Sequence, residues 1–96
     1  MADPVAIGIV ERQAIQHELN NIIDEANSWT RYIETLERNC TTTVINNFKG
    51  DFAKGARVIS DIQSGLISIL RETQTEILTL CSDTTTYVEQ HASNDR

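Results

Sequence analysis

Few residues in this chain are of a type that does chemistry: two histidines, His17 and His91; two cysteines, Cys40 and Cys81; and acid pairs such as Asp24-Glu25. A zinc site needs ligands at a chelating spacing such as HxxxH or HExxH, and neither histidine has one. Adjacent carboxylates are ordinary on a solvated helix face, and nothing near Asp24 and Glu25 divides them into an acid and a base. There is no glycine-rich loop to cradle a phosphate and no nucleophile elbow. The inventory predicts a protein that is not an enzyme and takes no metal or cofactor.

The elements must therefore explain what the chain is for. Only 5% of the 96 residues are aromatic and there is one proline, so turns are few and elements long. At 40% hydrophobic and 23% charged residues the chain is not of disordered composition. Its net charge of −6 argues against binding nucleic acid, which requires clustered Lys and Arg. Lys49, Lys54 and Arg57 do gather around the central turn, where they read as a solvated tip.

The first arm is predicted as a helix over about residues 4–46. Asp3 suits its N-cap and Pro4 its first position, where a missing N–H costs nothing. Ile15, Leu19, Ile22, Ala26, Trp29, Ile33, Leu36 and Cys40 follow one another at alternating steps of four and three, an unbroken heptad seam. After Cys40 the phase loosens at Thr41-Thr42-Thr43, and Val44, Ile45 and Phe48 resume it with a stutter.

A turn is predicted over about 47–51, at Phe48-Lys49-Gly50-Asp51. Phe48 closes the apolar core at the tip, Gly50 takes the positive φ that ends a helix cheaply, and Asp51 caps the next helix. The second helix is predicted over about 52–91, with a frayed tail at 92–96. Its stripe is Ile59, Ile62, Leu66, Leu70, Ile77, Leu80 and Tyr87, widened by Val58, Ile67, Ile69, Leu78, Cys81 and Val88. Gly55 and Gly65 either permit close helix approach or are tolerated defects, and Thr84-Thr85-Thr86 weakens the helix near its end.

Two arms of about 40 residues, about 60 Å at a rise of ~1.5 Å per residue, make a helical hairpin with an apolar arc too wide to be covered by itself. The expected fold class is all-α, a single long antiparallel hairpin assembling into a four-helix-bundle dimer with crossing angles near ~20°. Ile15, Leu19, Ile22, Trp29, Ile33, Leu36, Ile59, Ile62, Leu66, Leu70, Ile77 and Leu80 are the expected interface. In such an extended hairpin Cys40 sits roughly 15 Å from the turn and Cys81 roughly 45 Å, too far apart to bridge within one chain. An antiparallel dimer would bring Cys40 of one chain level with Cys81 of the other, so they are either an intersubunit disulfide or two small core residues.

This layout resembles the WXG-type small helical-hairpin proteins, the early-secreted-antigen family of type VII secretion. Phe48-Lys49-Gly50 stands where that family carries Trp-x-Gly, and Tyr87 lies 39 residues after Phe48, the separation favoured there. The chain departs from the family in lacking Trp at the turn, with Trp29 mid-helix instead. It also has His91, not an acid, four residues after Tyr87; the nearest acid is Glu89. The resemblance implies a small secretion substrate, or a targeting partner for a larger secreted toxin, working as a homodimer or a heterodimer with a similar hairpin. Tyr87 is then a C-terminal export or docking candidate, and a partner would supply any missing signal.

No conventional signal peptide is evident, since Met1-Ala2-Asp3-Pro4 is not basic and Val5–Val10 is a short apolar stretch. No membrane span is expected either. The implied location is secreted or at the cell surface after synthesis in the cytoplasm. The alternative is a cytoplasmic adaptor or export chaperone that buries a client's amphipathic helix. A membrane-surface protein fits less well, because such helices want basic polar faces.

Overall fold

The computed structural model describes residues 6–92. Among them every element is helical: α1 is Ile9–Asn47, α2 is Phe52–Asp61, a π-helical segment covers Ile62–Ile67, and α3 is Ser68–Gln90. The fold class is all-α, as the periodicity predicts. Asp3, Pro4 and residues 93–96 of the expected tail lie outside the described residues. Helix α1 starts later than expected, since residues 6–8 are not helical. The Gly8 carbonyl accepts the Arg12 N–H at 2.9 Å, and Glu11 puts an acid in the first turn, where the helix dipole favours it.

The chain divides into two compact units, Ser28–Thr75 and the residues on either side of it. Ser28–Thr75 holds the second half of α1, the turn, α2, the π segment and the start of α3. Its turn is closed by two bonds: Phe48 N–H to Val44 C=O at 2.9 Å and Asp51 N–H to Phe48 C=O at 3.0 Å. Asn47 Nδ2 donates to the Thr43 carbonyl at 2.8 Å, one turn back in α1. Asp51 caps α2 as predicted, its Oδ1 accepting the Lys54 N–H at 3.0 Å.

The expected role of Gly50 is corrected: no described residue has a positive φ. The turn closes without a positive φ, through the Phe48 N–H to Val44 and Asp51 N–H to Phe48 bonds. The glycine that matters is Gly55, which is buried. A Cβ there would stand 3.2 Å from Phe48 Cβ and 3.8 Å from Val44 Cγ1, so its small size sets how closely α2 approaches α1. Of the two alternatives left open for the glycines, Gly55 takes close approach; Gly65 has nothing within 4 Å of its would-be Cβ.

The second arm is not one uninterrupted α-helix. Ser68 N–H donates to the Gln63 carbonyl, five residues back, which is the π pattern. One extra residue is thereby accommodated, and the side chains beyond it rotate by one position. The expected stripe ran Ile62, Leu66, Leu70; in the structure Ile67 is buried and Leu66 is 46% exposed. Past the π segment the buried line is Ile67, Gln74, Cys81 and Val88, a strict seven-residue spacing.

Within Ser28–Thr75 the core is Ile33, Val44 and Ile67, with Trp29, Leu36, Phe48, Ile59, Ile62 and Leu70 half-buried. Buried Gln74 donates through Nε2 to Thr30 Oγ1 at 2.7 Å. In the other unit, residues 6–27 and 76–92, the core is Leu19, Ala26, Cys81 and Val88, with Ile15 and Ile77 half-buried. Ile7 N–H donates to the His91 carbonyl at 2.8 Å, forming an isolated bridge between Ile7 and Ala92. The Thr84-Thr85-Thr86 run stays helical, each hydroxyl donating to the carbonyl four residues back.

Candidate functional site

Both units are built asymmetrically, with polar ties along one edge and wet apolar side chains along the other. In the unit formed by residues 6–27 and 76–92, Gln16 Nε2 donates to Glu89 Oε1, and Arg12 pairs with Glu89 at 3.7 Å. On a helix of 3.6 residues per turn, Ile22 lies on the other side of buried Leu19 from Gln16. Leu80 and Tyr87 likewise lie on the other side of Cys81 and Val88 from Glu89. The Gln16–Glu89 bond fixes the tied edge, so Ile22, Leu80 and Tyr87 share the opposite one. They are 45%, 57% and 45% exposed.

Ser28–Thr75 repeats the arrangement. Glu37 accepts from Arg71 at 3.3 Å and from Gln63 at 3.4 Å on one edge. The opposite edge carries half-buried Trp29, Leu36 and Leu70 together with exposed Tyr32 and Leu66. Surface ion pairs of this kind are worth about 0–1 kcal/mol each, so they orient an edge more than they hold it.

Of the twelve expected interface residues, Leu19 and Ile33 are buried in the chain's own core. Ile22, Leu66 and Leu80 are exposed, and the other seven are half-buried. Reading the sequence by regular helical steps missed Gln74, Tyr32 and Phe52. The signal for Gln74 was its place in the seven-residue line from Ile67 to Val88, where a polar residue breaks an otherwise apolar row.

The three turn-motif residues part company. Phe48 is half-buried with the Lys54 ammonium 5.7 Å from its ring centroid, whereas Lys49 and Gly50 are exposed. Phe48 also belongs to an apolar recess of about 370 Å³ with Val44, Ile45, Phe52, Gly55 and Ile59. Tyr87 stacks on His91, ring centroids 4.3 Å apart and tilted by 36°.

Among the described residues no group of three or more His, Cys, Asp or Glu side chains could hold a metal ion. Cys40 and Cys81 are free thiols, Cys81 buried and Cys40 half-buried. Among the described residues no helix is long and apolar enough to cross a membrane. Comparison with protein-family models, curated proteins and solved structures finds no match to this chain.

Proposed function

We propose that this chain is a non-enzymatic partner in helix–helix assembly, docking a second helical hairpin along its wet apolar edges. By its resemblance to WXG-type proteins, that role is a small type VII secretion substrate or the targeting partner of a larger secreted toxin. The observation that carries the reading is the split between edges: Leu80 and Tyr87 stand wet with Ile22 on the side away from Glu89, Arg12 and Gln16. Covering side chains of this size removes about 25 cal/mol per Å² of apolar area from water, the usual drive for four-helix bundles.

One observation favours a cytoplasmic adaptor or export chaperone instead. His91 occupies the place where the resemblance calls for an acid, and it stacks on Tyr87. A chaperone binds its client through the same apolar edge and needs no terminal signal.

Light scattering on a sizing column with circular dichroism tests the assembly. A helical dimer supports it; a well-folded helical monomer at high concentration, also inert to co-expressed helical partners, overturns it. Separating secretion from chaperoning calls for Tyr87→Ala, because truncation after Leu80 would also remove Cys81 and Val88 from the core. Export lost with partner binding kept identifies a secretion role; no effect on export identifies the chaperone.

A further inference from the structure

The tip of the Ser28–Thr75 hairpin carries a second surface, distinct from the wet edges. Its recess is lined by Val44, Ile45, Phe48, Phe52, Gly55 and Ile59 and is about 370 Å³ in volume, near the small end of ligand-binding pockets. It is not a closed cavity for a small molecule. Phe52 is 80% exposed and Ile45 53%, so apolar area continues outside the recess, as a docking groove for a side-chain-bearing helix requires.

Charge selects the occupant. Lys49 follows Phe48 in the turn, the Lys54 ammonium lies over the Phe48 ring, and Arg57 stands farther along α2 on a face turned away from Phe52 and Ile59. Among the described residues none of the three is in an ion pair. Two acids share this stretch: Asp51, whose Oδ1 is occupied by the Lys54 N–H, and exposed Asp61. A chain of net charge −6 therefore keeps its tip cationic, with the Lys54 ammonium against the Phe48 ring of the recess and Lys49 next to Phe48 in the chain.

We propose that the tip recess docks an acidic amphipathic helix of another protein. The partner's apolar side chains fill the recess against Phe52, and its Asp or Glu residues meet Lys49 and Lys54. Charge complementarity of this kind sets specificity and association rate more than total affinity.

The test uses the full chain and two synthetic helical peptides with leucines at i, i+3, i+4 and i+7. One is flanked by glutamates, the other by lysines. The expected result is binding of the acidic peptide, with NMR shifts centred on residues 44–59, weakened about tenfold by the Lys49→Glu/Lys54→Glu pair and falling with added salt. Both substituted residues are exposed, and circular dichroism checks that the fold is kept. Four outcomes overturn the proposal: equal affinity for both peptides, no binding of either, shifts confined to the Leu80–Tyr87 edge, or tip shifts that depend only on the chain's own concentration. Tip shifts produced by oleate or anionic lipid vesicles but not by the acidic peptide also overturn it.

Discussion

Gln74 donates its side-chain amide to Thr30 Oγ1 at 2.7 Å, in a buried line whose flanking members are Ile67 and Cys81. An amide in an apolar seam costs stability and supplies register, since any slip of the two helices separates it from Thr30. Gln74→Leu is expected to raise folding stability by about 1 kcal/mol, because exposed Thr30 can turn to water instead. The same variant should show mixed assembly states by sedimentation velocity. A variant that is destabilised and keeps one state would assign Gln74 to packing alone.

The π segment gives an expectation opposite to the usual rule. Deleting one residue from a helix rotates everything beyond it by about 100°. Here one residue is already surplus between Ile62 and Ile67, so removing Gly65 lets a regular α-helix keep both in the core. Loss of an interior glycine removes a cost of about 1 kcal/mol. The Gly65 deletion is therefore expected to match or exceed the parent in urea melts, whereas deletion of Ser82 in regular α3 should swing Val88 out of the core and lose about 2 kcal/mol or more.

How much of this was legible in the sequence follows from the same feature. The heptad through Leu19, Ala26 and Ile33 and the cap at Asp51 could be read directly, because both are local and periodic. The outward turn of Leu66 could not, because a stripe extrapolated at i, i+3 and i+4 assumes bonds to the fourth residue back, and Ser68 bonds to the fifth. The only trace was a five-residue step from Ile62 to Ile67. Gly50 was misread for a different reason: a glycine after a helix suggests positive φ, but the Asp51 N–H to Phe48 bond and the Asp51 side chain already serve the turn. The polar ties at Glu37 and Glu89 depend on pairs far apart in sequence, which periodicity does not encode.

Gly55 decides the geometry of the tip. Alanine gains about 1 kcal/mol of helix propensity over glycine. Its Cβ meets Phe48 Cβ at 3.2 Å, an atom fixed by the backbone and unable to swing away. The two effects are expected to leave Gly55→Ala within about 1 kcal/mol of the parent, while Gly55→Val, with two more carbons in the same space, loses about 2 kcal/mol or more. Thermal melts of both variants check the order; equal stability would mean that α2 can move away from Phe48 freely.

The thiols should react in sequence. Cys81 is 5% exposed and Cys40 half-buried, so a thiol reagent is expected to label Cys40 first and Cys81 only on opening of its unit. An intersubunit Cys40–Cys81 bridge would need that opening too. Mild oxidation should leave Cys81 unmodified by mass spectrometry; rapid formation of a Cys40–Cys81 cross-link would require a packing of Cys81 other than the one seen.

Core and edge should separate cleanly under substitution. Ile33 is 2% exposed, the most deeply buried large side chain among the described residues, so Ile33→Ala is expected to cost about 2–5 kcal/mol. Leu66 and Leu80 fill no comparable space in their own units, and Leu66→Gln or Leu80→Gln should leave the urea midpoint of dilute protein nearly unchanged. If those side chains are the contact with a second hairpin, each substitution should weaken assembly by at least about tenfold, read as a shift in the concentration at which the larger species forms. Assembly lost with Ile33→Ala but kept with both edge variants would move the contact away from the wet edge. Loss in the edge variants alone would fix it there, because only an intermolecular contact makes a half-exposed leucine matter more than a buried isoleucine.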